Sequence, residues 1–168
     1  MDDAAPAEMP QEDSPQEGAR VAFQAARRYW MSVLARAAAD ELATCLAGTG
    51  GAPVYQRLRG PESGLMMVRG RAGGGGAAFN LGEMTVTRCT VRTEAGQVGH
   101  AYVAGRDTRQ AELAAVLDAL LQDPARGDAV RASVIAPLAA GQAARRAQVA
   151  RKAAATKVQF FAMRNMRT

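Results

Sequence analysis

Few residues in this 168-residue chain have the chemistry of a catalyst. There is one histidine, His100, and there are two cysteines, Cys45 and Cys89. A single histidine builds no histidine-rich metal site, and without a CxxC spacing the cysteines suggest neither zinc nor a redox pair. His100 lies mid-strand between Gly99 and Ala101, and no nucleophile, base and orienting group can be assembled around it. It reads as an ordinary sheet histidine. Cys89 reads as a small hydrophobe in a strand, and Cys45 as the same on a helix. The run Gly73–Gly76 lacks the Gly-Lys-Ser/Thr ending of a phosphate loop and leads into no clear helix, so it reads as a hairpin tip. Neither a catalytic nor a metal-binding residue is expected.

Two groups point to binding instead. In Gly105-Arg106-Asp107 a strand end leads into a helix N-terminus, where backbone N–H groups can receive an anion. Arg106 is therefore the candidate phosphate-binding residue. The plainer reading makes Asp107 the helix cap and leaves Arg106 solvated or salt-bridged. The second group is the basic segment with Arg145, Arg146, Arg151 and Lys152. It could neutralise phosphates as a nucleic-acid-binding module. Aromatic residues for stacking on bases are nearly absent between residues 103 and 159, which favours an acidic protein partner.

The elements that must position these residues follow from periodicity. Residues 1–18 hold Pro, Asp, Glu and Gln with no aromatic or β-branched residue, and are expected to be a disordered acidic tail. Residues 19–168 are expected to form one α+β domain. Val21, Ala25, Tyr29, Val33 and Ala37 recur at helical spacing, with Trp30 and Leu34 on an adjoining stripe. A short helix from Asp40 carries Leu42, Cys45 and Leu46 and stops at Gly48–Gly51. Strands are expected over Pro53–Arg59 and Leu65–Arg71, separated by a Gly60–Gly64 turn, then over Ala78–Leu81, Glu83–Arg92 and Val98–Ala104. Leu113, Val116, Leu117, Leu120 and Leu121 mark one apolar stripe of a helix capped by Asp107 or Thr108 and stopped at Asp123–Pro124. A short helix ends at Pro137, a long one spans about Leu138–Thr156, and the alternation from Val158 to Met163 suggests a last strand. The sum is an antiparallel sheet of about four to five strands packed with four or five helices.

Composition limits what this domain can be. Its hydrophobic fraction is 48%, but 38 of those residues are alanine. Leu, Ile, Val and Phe number 29, a small share for a globular domain. Such a thin core argues against a large self-sufficient enzyme, and no apolar run approaches a membrane span. The formal charge of +5 is segregated: residues 1–19 carry six acids and no base, and residues 142–168 carry seven bases and no acid. A basic surface of this kind takes an anionic partner. The cysteine count and the lack of a signal peptide suggest a cytoplasmic protein.

Several blocks in order resemble one family. They are Tyr29-Trp30-Met31-Ser32-Val33-Leu34-Ala35, Ser63-Gly64-Leu65, Phe79–Thr87 with Arg88, Gly105-Arg106-Asp107 with Ala111-Glu112, Leu120, Ile135-Ala136-Pro137-Leu138, and Val158–Phe161 with Met163. Together they resemble the PhnG family, one component of the bacterial carbon–phosphorus lyase system for phosphonate use, over about residues 27–165. The acidic N-terminal extension and the glycine run depart from that pattern. The resemblance implies a cytoplasmic complex with subunits H, I and J. With H, I and the ATP-binding-cassette-like subunit L, the family supports formation of α-D-ribose 1-methylphosphonate 5-triphosphate and adenine from ATP and methylphosphonate. Subunit I is implied to carry the nucleosidase chemistry and subunit J, an iron–sulfur radical enzyme, the later bond cleavage. The resemblance assigns no catalytic residue and no cofactor to this chain; ATP is substrate of the complex. The chain is thus expected to be a structural subunit that positions subunit I. Trp30, Leu34, Arg145 and Arg146 are its candidate interface residues, since the helices around them have little core of their own to share.

Overall fold

Three long strands form the sheet in the computed structural model, which describes residues 15–71 and 75–157. They are β1 (Tyr55–Gly70), β2 (Phe79–Thr93) and β3 (Val98–Ala104), antiparallel in the order β1-β2-β3. This is fewer than the four to five expected. The Gly60–Gly64 turn does not exist, because β1 runs through it with register shifts between Arg57 and Arg59 and between Arg59 and Glu62. β1 is an outer strand, and Pro61 sits in its irregular stretch, where a missing N–H breaks no ladder bond. Likewise Ala78–Leu81 and Glu83–Arg92 merge into β2, whose register against β1 shifts between Val68 and Arg69. The expected strand at 158–163 lies outside the described residues.

Helices cover one face of the sheet. They are α1 (Pro15–Leu34), α2 (Ala39–Gly48), α3 (Thr108–Leu121), α4 (Gly127–Val130) and α5 (Ala136–Ala155). α1 starts at Pro15, within the stretch assigned to the tail. α3 is buried on nearly every side, Ala114 through Leu121 without a break, rather than along one apolar stripe. It lies so close to β3 that a Cβ on Gly99 would stand 1.9 Å from the Ala115 carbonyl oxygen. The alanines are therefore not idle. Ala111, Ala114, Ala115 and Ala119 are all buried, and they allow the near approach that larger residues would prevent.

Pro137 does not end a helix as expected. One turn of π-helix, Arg131–Ile135, joins α4 to α5 and carries the chain into Pro137 in the first turn of α5. The Ala136 N–H reaches back to the Arg131 carbonyl. A widened turn of this kind relieves the clash between a proline ring and the preceding turn.

The expectation for Trp30 and Leu34 also needs correction. Both are 1% exposed and lie in this chain's own core with Val33, Leu42, Val91 and Leu117. Val21 and Tyr29 of the i+4 series are exposed instead. What holds α1 down is Asp118, a fully buried carboxylate on α3. Its Oδ1 accepts from the Trp30 indole at 2.7 Å and from Arg27 Nε at 3.2 Å. Its Oδ2 accepts from Arg27 Nη2 at 2.6 Å, the His100 backbone N–H at 2.9 Å and Gln122 at 3.3 Å. One side chain thus ties α1, β3 and α3.

A second clamp joins β1 to α3. Glu112 accepts from Tyr55 at 2.8 Å and from both arms of the Arg57 fork, at 2.7 and 2.9 Å. Burial pushes the Glu112 carboxyl up, but the bonds from Arg57 and Tyr55 outweigh it and hold it below its ordinary value.

Two expected outcomes follow from these clamps. Asp118→Ala leaves an indole N–H and a backbone N–H without their acceptor and a half-buried cation without its partner, and should cost about 3–5 kcal/mol in urea unfolding. A loss below about 1 kcal/mol would make the cluster no more than a surface pair. Glu112, depressed in the fold, contributes stability above its unfolded pKa, and that contribution disappears as pH falls through the depressed value. The urea midpoint of the native chain should therefore drop on acidification below about pH 4.5, more steeply than that of Glu112→Gln. Acid limbs of equal slope would place the sensitivity elsewhere.

Candidate functional site

The main concavity lies between α1 and the free edge of β3. Its deeper part, about 210 Å³, is lined by Met31, Ser32, Leu34, Ala35, Ala114 and the β3 residues His100–Val103. A broader part of about 540 Å³ is lined by Gln24, Arg27, Arg28, Met31, His100 and Tyr102. The elements explain its shape. Side chains alternate along β3, so Gly99, Ala101 and Val103 turn to α3 while His100, Tyr102 and Ala104 turn to the open face. The Asp118 cluster draws α1 against the strand at Val98 and His100, where Arg27 also donates to the Val98 carbonyl at 3.1 Å. The groove lies beside that point, between Met31 and Ser32 of α1 and His100 and Tyr102 of β3.

The groove brings the ring of His100 and the guanidinium groups of Arg27 and Arg28 to one side of Tyr102. His100 Nδ1 lies 3.0 Å from the Thr90 hydroxyl on the exposed face. Its other function, through the backbone, is to donate to Asp118. Cys89 is buried, 3.6 Å from the Arg59 carbonyl, and burial pushes its thiol up, away from the reactive thiolate. Burial and then the Glu41 charge push Cys45 the same way. Among the described residues no three His, Cys, Asp or Glu gather as metal ligands.

The sequence-derived candidates are scattered. Arg106 is exposed at the β3–α3 junction. Asp107 there caps α3, accepting from the Gln110 N–H at 2.9 Å. Arg145 reaches α2, 3.1 Å from Glu41. The Ala38 N–H, ahead of Arg145, holds the Glu41 carboxyl below its ordinary value. Arg146 stands on the exposed part of α5, where every described residue from 143 onward faces solvent. No site gathers Arg106, Arg145 and Arg146. The residues that organise the groove, Arg27 and Asp118, were not among the candidates. The signal for Asp118 was present: one carboxylate inside the apolar run Ala114–Leu121.

Comparisons with known proteins identify the family. Residues 25–165 match the family described as phosphonate metabolism protein PhnG. A relative from Rhizobium meliloti (strain 1021), the alpha-D-ribose 1-methylphosphonate 5-triphosphate synthase subunit PhnG, is 47% identical over 142 residues, covering 83% of this chain and 88% of its own. The matched residues 25–165 take in the whole sheet and the Asp118 cluster, so the chain belongs to the PhnG family of phosphonate metabolism proteins.

Proposed function

We propose that this chain is the PhnG subunit of an α-D-ribose 1-methylphosphonate 5-triphosphate synthase, a structural part that positions a catalytic subunit. The observation that carries this reading is the near-complete family relationship, over residues 25–165 of this chain and 88% of the relative's own length. Within the complex, ATP and methylphosphonate are the substrates, subunit I does the nucleosidase chemistry, and H, J and L are the further partners. A cytoplasmic location suits ATP-dependent work. No described helix is long and apolar enough to cross a membrane.

The exposed cations of α5, Arg146, Arg151 and Lys152, suit an acidic protein surface. Arg106 is exposed and free to turn toward the triphosphate of ATP, since guanidinium pairs bidentately with phosphate oxygens.

Reconstitution tests the reading. Adenine release from ATP and methylphosphonate by subunits H, I and L should be lost when this chain is omitted and return when it is added. Full activity without it would refute the proposal. Arg106→Ala should lower turnover at least tenfold with assembly intact. Unchanged turnover would make Arg106 a solvated, dispensable side chain, and loss of assembly together with activity would make it architectural.

A further inference from the structure

β3 pairs with β2 only from Val86 to Arg92. Beyond Val86 the ladder continues as a two-stranded ribbon, Leu65–Gly70 against Phe79–Thr85. Six residues at about 3.4 Å each carry it roughly 20 Å past the third strand. No described part of the chain covers it: its residues are exposed or half-buried throughout, with Leu65 at 68%. A two-stranded ribbon alone is at best marginally stable in water.

Its composition is that of a buried element. Met66, Val68, Met84 and Phe79 share one face, and Leu81, at the register shift, lies over Gly70, where a Cβ would stand 2.6 Å from its Cδ1. Leu65 and Met67 occupy the other face, across from Thr85 and Glu83. The six exposed large side chains present roughly 600 Å² of apolar surface, near the ~800 Å² that one side of a standard protein interface contributes. Three of them are methionines, whose flexible thioethers adapt to a facing surface.

The root of the ribbon is fixed. Buried Thr87 bonds Ser63 at 2.9 Å and the Gly105 carbonyl at 2.8 Å, joining β1 and β2 to the residue that follows β3 where the ribbon leaves the body. Arg88 pairs with Glu62 at 2.6 Å beside it, and Glu62 also pairs with Arg59. The arm is therefore presented by a rigid base.

We propose that this arm inserts into an apolar cleft of another subunit of the synthase, which covers both faces of the ribbon. The proposal rests on the reading of the chain as a synthase subunit. A second copy of this chain is the poorer occupant. Two ribbons stacked face to face leave their outer apolar faces bare, and further stacking does not close.

The test uses the full-length chain and the other subunits of the synthase. Met66→Lys with Met84→Glu places opposite charges across one face, and Leu65→Lys with Met67→Lys sets a cation across from Glu83 on the other. Each pair should leave the thermal unfolding of the free chain unchanged and weaken its association at least tenfold. In the wild-type complex, amide exchange over 65–70 and 79–85 should slow at least tenfold. Wild-type affinity in both variants, or unslowed exchange in the assembled complex, overturns the arm while leaving the subunit reading standing. Wild-type affinity in one variant alone overturns the two-faced cleft. A dimer of the isolated chain that either variant dissolves assigns the arm to a second copy. A wild-type chain that joins none of the subunits removes the subunit reading and the arm with it.

Discussion

The buried carboxylate of Asp118 is the constraint on which the rest of the structure depends. A charge with no exposure is tolerable only where its lone pairs are filled, and four groups from three directions fill them. Such an arrangement has little freedom. Moving α1 by an ångström would break the indole bond, and moving β3 would strand the His100 N–H. Arg27 reports the same geometry from the other side, bonding both the carboxylate and the Val98 carbonyl. The edge of β3 is blocked at that end by side chains instead of a fourth strand, a way of protecting a sheet edge from unwanted pairing.

Small residues make this polar cluster possible. Gly99 and the alanines of α3 bring helix and strand backbones together, which leaves Asp118 within reach of a strand N–H. Low apolar volume and close packing are two sides of one choice: less area is buried per residue, but dispersion contacts and directional bonds form at shorter range. The composition alone suggested a core left unfinished around Trp30. In the fold, Trp30 is enclosed, with Phe23 edge-on at 5.9 Å and the Arg131 guanidinium 5.5 Å from its ring centre.

The legibility of the sequence follows from the range of each interaction. Caps and stops are local, so Asp107, the glycines after α2 and the start of β3 were readable from a few neighbours. The extent of β1 was not, because whether Gly60–Gly64 turns or continues is decided by β2, which pairs with Glu62, Ser63 and Gly64 from a distant part of the chain. Pro137 misled for a similar reason, since a π-turn five residues long absorbed it. The partners of Asp118 lie up to 91 residues away, beyond what spacing can show. Trp30, Gly105-Arg106-Asp107 and Glu112 carried the family resemblance, and the structure gives Trp30, Asp107 and Glu112 roles in packing, capping and clamping.

What remains exposed has a consistent character. The body satisfies its own polar groups: no buried side-chain nitrogen or oxygen lacks a partner among the described residues. The apolar arm of β1 and β2 and the basic end of α5, by contrast, meet no other part of the described chain along most of their length. A chain short of large apolar residues spends several of them on the arm, where they contribute nothing to its own core. This distribution suits a part whose work is to hold other parts at fixed positions, because positioning requires a rigid centre and adhesive extremities. The rigidity comes from Asp118, Glu112 and Thr87, each of which joins elements distant in sequence. In the proposed assembly, adhesion comes from surface that the described chain leaves uncovered, with another subunit supplying its opposite face.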